Sequence, residues 1–308
     1  MFRVLKLLKV REWIFALLAV GLIVLQVWLD LTMPDYMATI TQLAVTGSSA
    51  NMGELWKNGA FMLACALGSA LSAVAVGFFV ARIAAAVSFR LRAQVFDKVE
   101  SFSMEEINRF STASLITRTT NDIMQVQMVM SMGLQMVIKA PILAVWAVCK
   151  ILTRQWEWSV VTAAAVVLML ALMLFILVAV FPKFRKVQKL TDNLNSVTRE
   201  NLTGVRVVRA YNAEKYQENK FAKANGELTK TQLFTSRAMA IMAPVMTMVM
   251  SGMSLAIYWI GAYLIDALPT GAERSELFGQ MAAFSGYAMQ IIMAFMMLAM
   301  IFIILPRA

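Results

Sequence analysis

The chain is 308 residues long, 60% hydrophobic and only 15% charged, with a formal net charge of +10. A soluble domain of this size carries roughly 25% charged residues, so the composition excludes an ordinary soluble protein and points to an all-α membrane protein. The sequence has no His and two Cys, Cys65 and Cys149, both inside apolar runs; zinc, haem and histidine-based acid–base chemistry have no support.

In chain order, residues 1–12 (MFRVLKLLKVRE) form a basic amphipathic segment. Val4, Leu5 and Leu8 can face lipid while Arg3, Lys6 and Lys9 face headgroups, which predicts an interfacial elbow helix; a disordered basic leader is the alternative. The first long apolar run follows at 13–33. It is too long for a signal-peptide core and is not closed by a small-residue cleavage site. Further windows long and apolar enough to cross a bilayer lie at 59–81, 129–152, 160–181, 238–265 and 277–305. Six transmembrane helices are predicted.

Between the second and third spans, and between the fourth and fifth, lie two polar segments of about 50 residues each, longer than connections without structure or function. In 82–100, Ile83, Val87, Leu91, Val95 and Val99 recur every four residues, one stripe of a helix. From residue 59 to 100 a continuous helix would be roughly 63 Å long, against a hydrocarbon layer of about 30 Å. The surplus projects out of the membrane. The expected architecture is two pairs of long helices reaching down, each pair closed by a short polar tip.

The distribution of charge gives the orientation. Segments 1–12, 82–128 and 182–237 carry four, six and twelve Lys or Arg, and with Arg307 this side holds 23; the opposite segments 34–58, 153–159 and 266–276 hold one each. By the positive-inside rule both termini and both long segments are cytoplasmic. The basic balance then reports topology and anionic lipid and calls for no nucleic acid.

The tips have the residue types of a mechanical contact. In the first, Met104, Ile107 and Phe110 supply apolar surface, Glu105, Glu106 and Arg109 supply charge, and Asn108 lies between. The second comprises Tyr211, Asn212, Ala213, Glu214, Lys215 and Tyr216, with Tyr211 or Tyr216 as the aromatic anchor.

The stretch FSMEEINRFSTASLITRTTNDIMQVQ resembles the first intracellular loop of ABC exporter membrane domains, with its G-x-L-x-S-R-x-x-N-D run. Arg118, Asn121 and Asp122 match; Ala113 and Ser114 stand where Gly-Asp or Gly-Ser is usual, and Thr117 replaces Ser. The later stretch ENLTGVRVVRAYNAEKYQENKF resembles the second loop of the same family, with Glu200, Gly204, Arg206, Val208, Ala210, Glu214 and Glu218 matching. The third span resembles a subgroup rich in bacterial heterodimeric multidrug exporters, with Gln135 and Lys139 in place of two arginines. The resemblance covers the whole chain. It implies the type I exporter (type IV) fold as a domain-swapped dimer, a heterodimer before a homodimer. The two tips become coupling helices that dock on nucleotide-binding domains, the second crossing to the partner. Arg118, Asn121, Asp122, Gly204 and Arg206 become structural motif positions.

No G-x-x-x-x-G-K-[ST] occurs in the sequence, so this chain alone cannot hold ATP in the P-loop manner. The resemblance assigns ATP and magnesium to a nucleotide-binding domain outside it, and the chain, ending at LPRA, is expected to be the membrane domain of a longer polypeptide. The implied function is ATP-driven export of hydrophobic or amphipathic substrates (drugs, lipids or peptides). An exporter-fold importer, for instance of a metal chelate, is the alternative. An ion-coupled carrier or a non-transporting scaffold is disfavoured, because only Asp30 stands as an acid inside the spans. Lys139 either meets an anionic substrate or lipid, or snorkels to the interface. Met stripes run along the fifth and sixth spans, and Met246, Met250, Met289, Met293 and Met297 either pack helices or line a polyspecific cavity.

Overall fold

The computed structural model describes residues 8–46, 52–109, 112–152, 155–269 and 271–304, and every element among them is helical. We number the α-helices in chain order: α1 Val10–Thr46, α2 Met52–Glu100, α3 Met104–Arg109, α4 Thr112–Thr117, α5 Ile123–Leu152, α6 Trp156–Phe175, α7 Phe181–Ala210, α8 Glu214–Asp266 and α9 Gly271–Ile304. Five-residue π-helical segments, Arg118–Asp122 and Ile176–Val180, join α4 to α5 and α6 to α7. Six of the described helical stretches are long and apolar enough to cross a membrane. Of the predicted elbow, residues 1–7 lie outside the described residues, and α1 begins only at Val10.

The first apolar span was expected over 13–33, with 34–58 as an external connection, and α1 continues through Pro34 to Thr46. Pro34 removes one backbone donor and forces its ring against the preceding turn. The neighbouring helix accommodates it: a Cβ added at Gly286 of α9 would stand 3.0 Å from the Pro34 Cγ and 3.1 Å from its Cβ. The glycine leaves room for the proline ring, and the segment expected as an external loop is largely helix.

The chain divides into two compact units, residues 1–163 with 254–308, and residues 164–253. In the first, α2 packs on α1 and α5, and α9 packs on α1 and α5. The core is built from Ile23, Val27 and Leu31 of α1, Val76 and Val80 of α2, Leu143 and Ala147 of α5, and Phe284, Tyr287 and Ile291 of α9, all buried. In a membrane, lipid tails are as apolar as these side chains, so close packing holds the helices together rather than water exclusion. Small residues allow it. A Cβ at Gly279 of α9 would lie 2.6 Å from the backbone oxygen of Ala38, and one at Gly68 of α2 would lie 3.0 Å from Leu29.

The predicted stripe on α2 is present: Ile83 and Val87 are buried, and Leu91, Val95 and Val99 half-buried. At 49 residues, α2 is about 73 Å long, well beyond a hydrocarbon layer of about 30 Å. Arg90, beyond the apolar part of α2, grips both carboxylate oxygens of Glu12 at the start of α1. Glu12 also accepts the backbone N–H of Lys9 at 2.6 Å. This double engagement ties the entry of α1 to the extension of α2.

In the second unit, α7 and α8 form an antiparallel hairpin. Lys220 donates to both oxygens of Glu200 at 2.7 and 2.8 Å, and Lys183 lies over the Phe234 ring at 5.9 Å. These pairs nest around residues 210–214, as strands of contact do in a hairpin. Val197 of α7 and Ala224 of α8 are buried.

Candidate functional site

The first tip is a short helix, α3, whose start is fixed by a capping box. The Glu106 backbone N–H donates to Ser103 Oγ at 3.3 Å, and the Ser103 backbone N–H donates to Glu106 Oε2 at 2.9 Å. Two otherwise orphaned helix-start donors are thereby satisfied reciprocally. The backbone N–H of Ser103, then its hydroxyl, hold the Glu106 carboxyl below the ordinary carboxylate range. Met104 is 75% exposed and Glu105 is exposed. Ile107, Asn108 and Arg109 lie on the α3 backbone, and Phe110 falls outside the described residues. The S-x-x-E spacing at 103–106 is a local signal that the sequence reading passed over.

After α4 the motif positions Arg118, Asn121 and Asp122 all fall in the π-helical segment, with their side chains at the surface. Thr119 donates its hydroxyl to the carbonyls of Leu115 and Ile116, and Thr120 to that of Ile116. Such back-bonding competes with the regular helical ladder, and a wide π turn resets the register between the tip and the span above it.

The second tip differs from the expected short helix. α7 ends at Ala210, and α8 starts at Glu214 and runs unbroken to Asp266. The reversal is made by Asn212 at φ 49°, a left-handed conformation that Asn tolerates better than most residues. The Ala213 N–H donates to the Val208 carbonyl at 2.9 Å, and the Asn212 N–H to that of Arg209 at 3.3 Å. This is the Schellman pattern, with Asn212 in the position usually held by glycine. So sharp a turn leaves no residues for a separate helix. Glu214, Lys215 and Tyr216 form the first turn of α8 instead, and Tyr211 and Tyr216 are 80% and 68% exposed. Arg206 is exposed, and nothing lies within 4 Å of a Cβ placed on Gly204, so no close contact among the described residues requires that glycine.

Within the spans of the first unit, charge is paired between helices. Lys139 of α5 donates to Asp30 Oδ2 of α1 at 3.2 Å, and Ser69 of α2 donates to Asp30 Oδ1 at 2.5 Å. Lys139 is thus paired with an acid of a neighbouring helix. A second pair was missed: Lys150 of α5 donates to Asp35 Oδ2 at 2.9 Å, and the Tyr287 hydroxyl of α9 donates to Asp35 Oδ1. Asp35 stands beyond residue 33, where the first span was expected to end.

Met289 and Met293 are 39% and 44% exposed on α9, and Met297 is half-buried; their spacing puts them on one face. Met246 and Met250, half-buried, belong to the other unit. An apolar hollow of about 580 Å³ is lined by Pro141, Ile142, Val145, Trp146 and Cys149 of α5. Among the described residues no cluster of three or more His, Cys, Asp or Glu could hold a metal.

Comparison with known proteins places these features in context. Residues 16–295 match the family model of the ABC transporter transmembrane region. An uncharacterized ABC transporter ATP-binding protein of Mycobacterium bovis is 32% identical over 280 residues, covering 91% of this chain and 47% of the relative. Another such protein, YfiB of Bacillus subtilis, is 26% identical over 258 residues, 84% of this chain and 44% of the relative. An ATP-dependent lipid A-core flippase of Pseudomonas syringae is 25% identical over 188 residues, 59% of this chain and 31% of the relative. The chain spans about half the length of the first of these relatives.

Proposed function

The chain belongs to the ABC transporter transmembrane family, and from that premise we propose that it is the membrane domain of an ATP-driven exporter. Its cargo is hydrophobic or amphipathic: a drug, a lipid or a peptide. The observation that carries this reading is the pair of built tips at the ends of the long helices. One is locked by the Ser103–Glu106 capping box and presents Met104; the other is locked by the Asn212 turn and presents Tyr211 and Tyr216. Exposed apolar and aromatic side chains on rigid, mostly polar tips suit docking to another protein. We assign that surface to nucleotide-binding domains, where ATP and magnesium bind. ATP would bind one global state better than the other and so shift the population of the membrane domain. A second half-transporter, a different chain before an identical one, completes the pathway, and the unit 164–253 is the part proposed to engage it. The termini and tips lie on the cytoplasmic side of a bacterial plasma membrane.

The test uses the whole transporter in inverted vesicles. Replacing both tip tyrosines (Tyr211→Ala with Tyr216→Ala) should lower ATP-driven transport at least tenfold without changing the melting of the membrane domain. Transport that ignored ATP and vanadate and followed an ion gradient would overturn the reading; uptake in the opposite direction would make the protein an importer.

A further inference from the structure

We propose that Arg11 and Arg82, with Phe15, Phe78 and Phe79 between them, form a binding site for the headgroup of an anionic phospholipid. The Arg11 guanidinium lies 5.5 Å from the centroid of the Phe15 ring, and that of Arg82 lies 5.2 Å from Phe78. The rings are linked in turn: Phe15 and Phe79 have centroids 5.5 Å apart, and Phe78 and Phe79 5.8 Å apart. The start of α1 and the middle of α2 therefore share one continuous strip, with a cation at either end.

Two features make the strip attractive to an anion. Both arginines are exposed, and neither has an acidic partner among the described residues. The acid nearest in sequence, Glu12, is held by both nitrogens of Arg90, so its charge does not offset Arg11. Stacking on a ring orients a guanidinium without using its donors, which leaves them free for phosphate oxygens.

Location selects a lipid as the source of that phosphate. Arg11 directly precedes the apolar part of α1, and Arg82 directly follows the apolar part of α2, so both stand at one membrane boundary. It is the boundary that faces the long basic segments. Further into the apolar zone the same two helices present Leu17, Leu71, Val74 and Phe78, each at least 56% exposed. Acyl chains can cover these while the headgroup meets the arginines. The site rests on the membrane orientation of the chain and not on what is transported.

The experiment measures thermal stability of the intact protein in neutral detergent with added phosphatidylglycerol, phosphatidylcholine or inorganic phosphate. Native mass spectrometry counts retained lipid in parallel. Phosphatidylglycerol should raise the melting temperature above the phosphatidylcholine value and remain bound. The double variant R11Q/R82Q should weaken that binding roughly tenfold or more, since each cation near a charged lipid surface counts. R82Q alone, with α1 intact, should lose part of it. K186Q/K189Q, which removes the same charge elsewhere, should lose none. Equal effects of the two lipids, full retention by R11Q/R82Q, or equal loss in K186Q/K189Q would each overturn the proposal. So would equal stabilisation by inorganic phosphate, which would mean a free-anion site.

Discussion

Replacing Lys139 by Met tests whether the charges inside the spans hold the helices together. The Lys139 and Asp30 side chains are 16% and 13% exposed, so the variant leaves a nearly buried carboxylate with only the Ser69 hydroxyl as its described polar partner. Stranding one member of a buried pair costs about 3 kcal/mol or more. At about 2–4 °C per kcal/mol for a chain of this order, the melting temperature should fall by roughly 6–12 °C. Asp30→Asn made in the same chain removes the stranded charge, and the amide can still accept from Ser69; most of the loss should return. The double variant should then be about 2 kcal/mol more stable than K139M alone. The assay is thermal unfolding of the four chains of this cycle in one detergent, followed by tryptophan fluorescence. If K139M were no less stable than D30N/K139M, the pair would not be a structural bond and the reasoning would fail. The Lys150–Asp35 pair sets an internal scale: its side chains are 36% and 32% exposed. Solvent screens it, and the same substitution there should cost only about 1 kcal/mol.

Two other predictions follow from local geometry. Gly279→Leu should lower the melting temperature sharply, because even its Cβ would approach the Ala38 carbonyl to 2.6 Å, whereas Gly252→Ala, with nothing within 4 Å, should be close to neutral; equal melting of the two would refute close packing of α1 and α9. At the first tip, the Glu106 carboxyl is held low in the folded state, so its contribution is complete above the ordinary carboxylate range and is lost as pH falls through the depressed value. Amide exchange at Ser103 and Glu106, corrected for intrinsic rates, should lose protection on acidification in the native chain and show no such pH step in E106Q; a step that persisted in E106Q would assign it to another group.

Much of this fold is legible because its signals are local. Twenty-residue apolar windows disclose the spans, and the spacing of Ile83, Val87 and Leu91 discloses the stripe that α2 buries. The helix starts and turns at the tips are also local. Ser103-x-x-Glu106 carries a capping box in four residues, and Asn212 between Tyr211 and Ala213 marks a left-handed reversal. Taking the second tip as a short helix failed because one left-handed residue suffices to reverse the chain. The helix beyond residue 33 was hidden for the opposite reason: what accommodates Pro34 lies at Gly286, on a helix some 250 residues later. Nothing near Pro34 in the sequence discloses it.

The same distance hid the second charge pair and changes how the intramembrane acids are to be read. Asp35 meets Lys150 and Tyr287 from two other helices, and Asp30 meets Lys139 and Ser69 from two more contacts of the same kind. An acid that binds a transported ion has to be free to exchange its partner. Here each aspartate already faces a lysine that offsets its charge and a hydroxyl that occupies its other oxygen. An apolar environment strengthens such pairs while penalising their separation. The charges therefore join α1 to α2, α5 and α9 as fixed points, and any movement between these helices must either carry the pairs along intact or separate them, at a cost of about 3 kcal/mol or more for the nearly buried Lys139–Asp30 pair and about 1 kcal/mol for the more exposed Lys150–Asp35 pair. Motion of the first unit as a rigid body is the motion that leaves them whole.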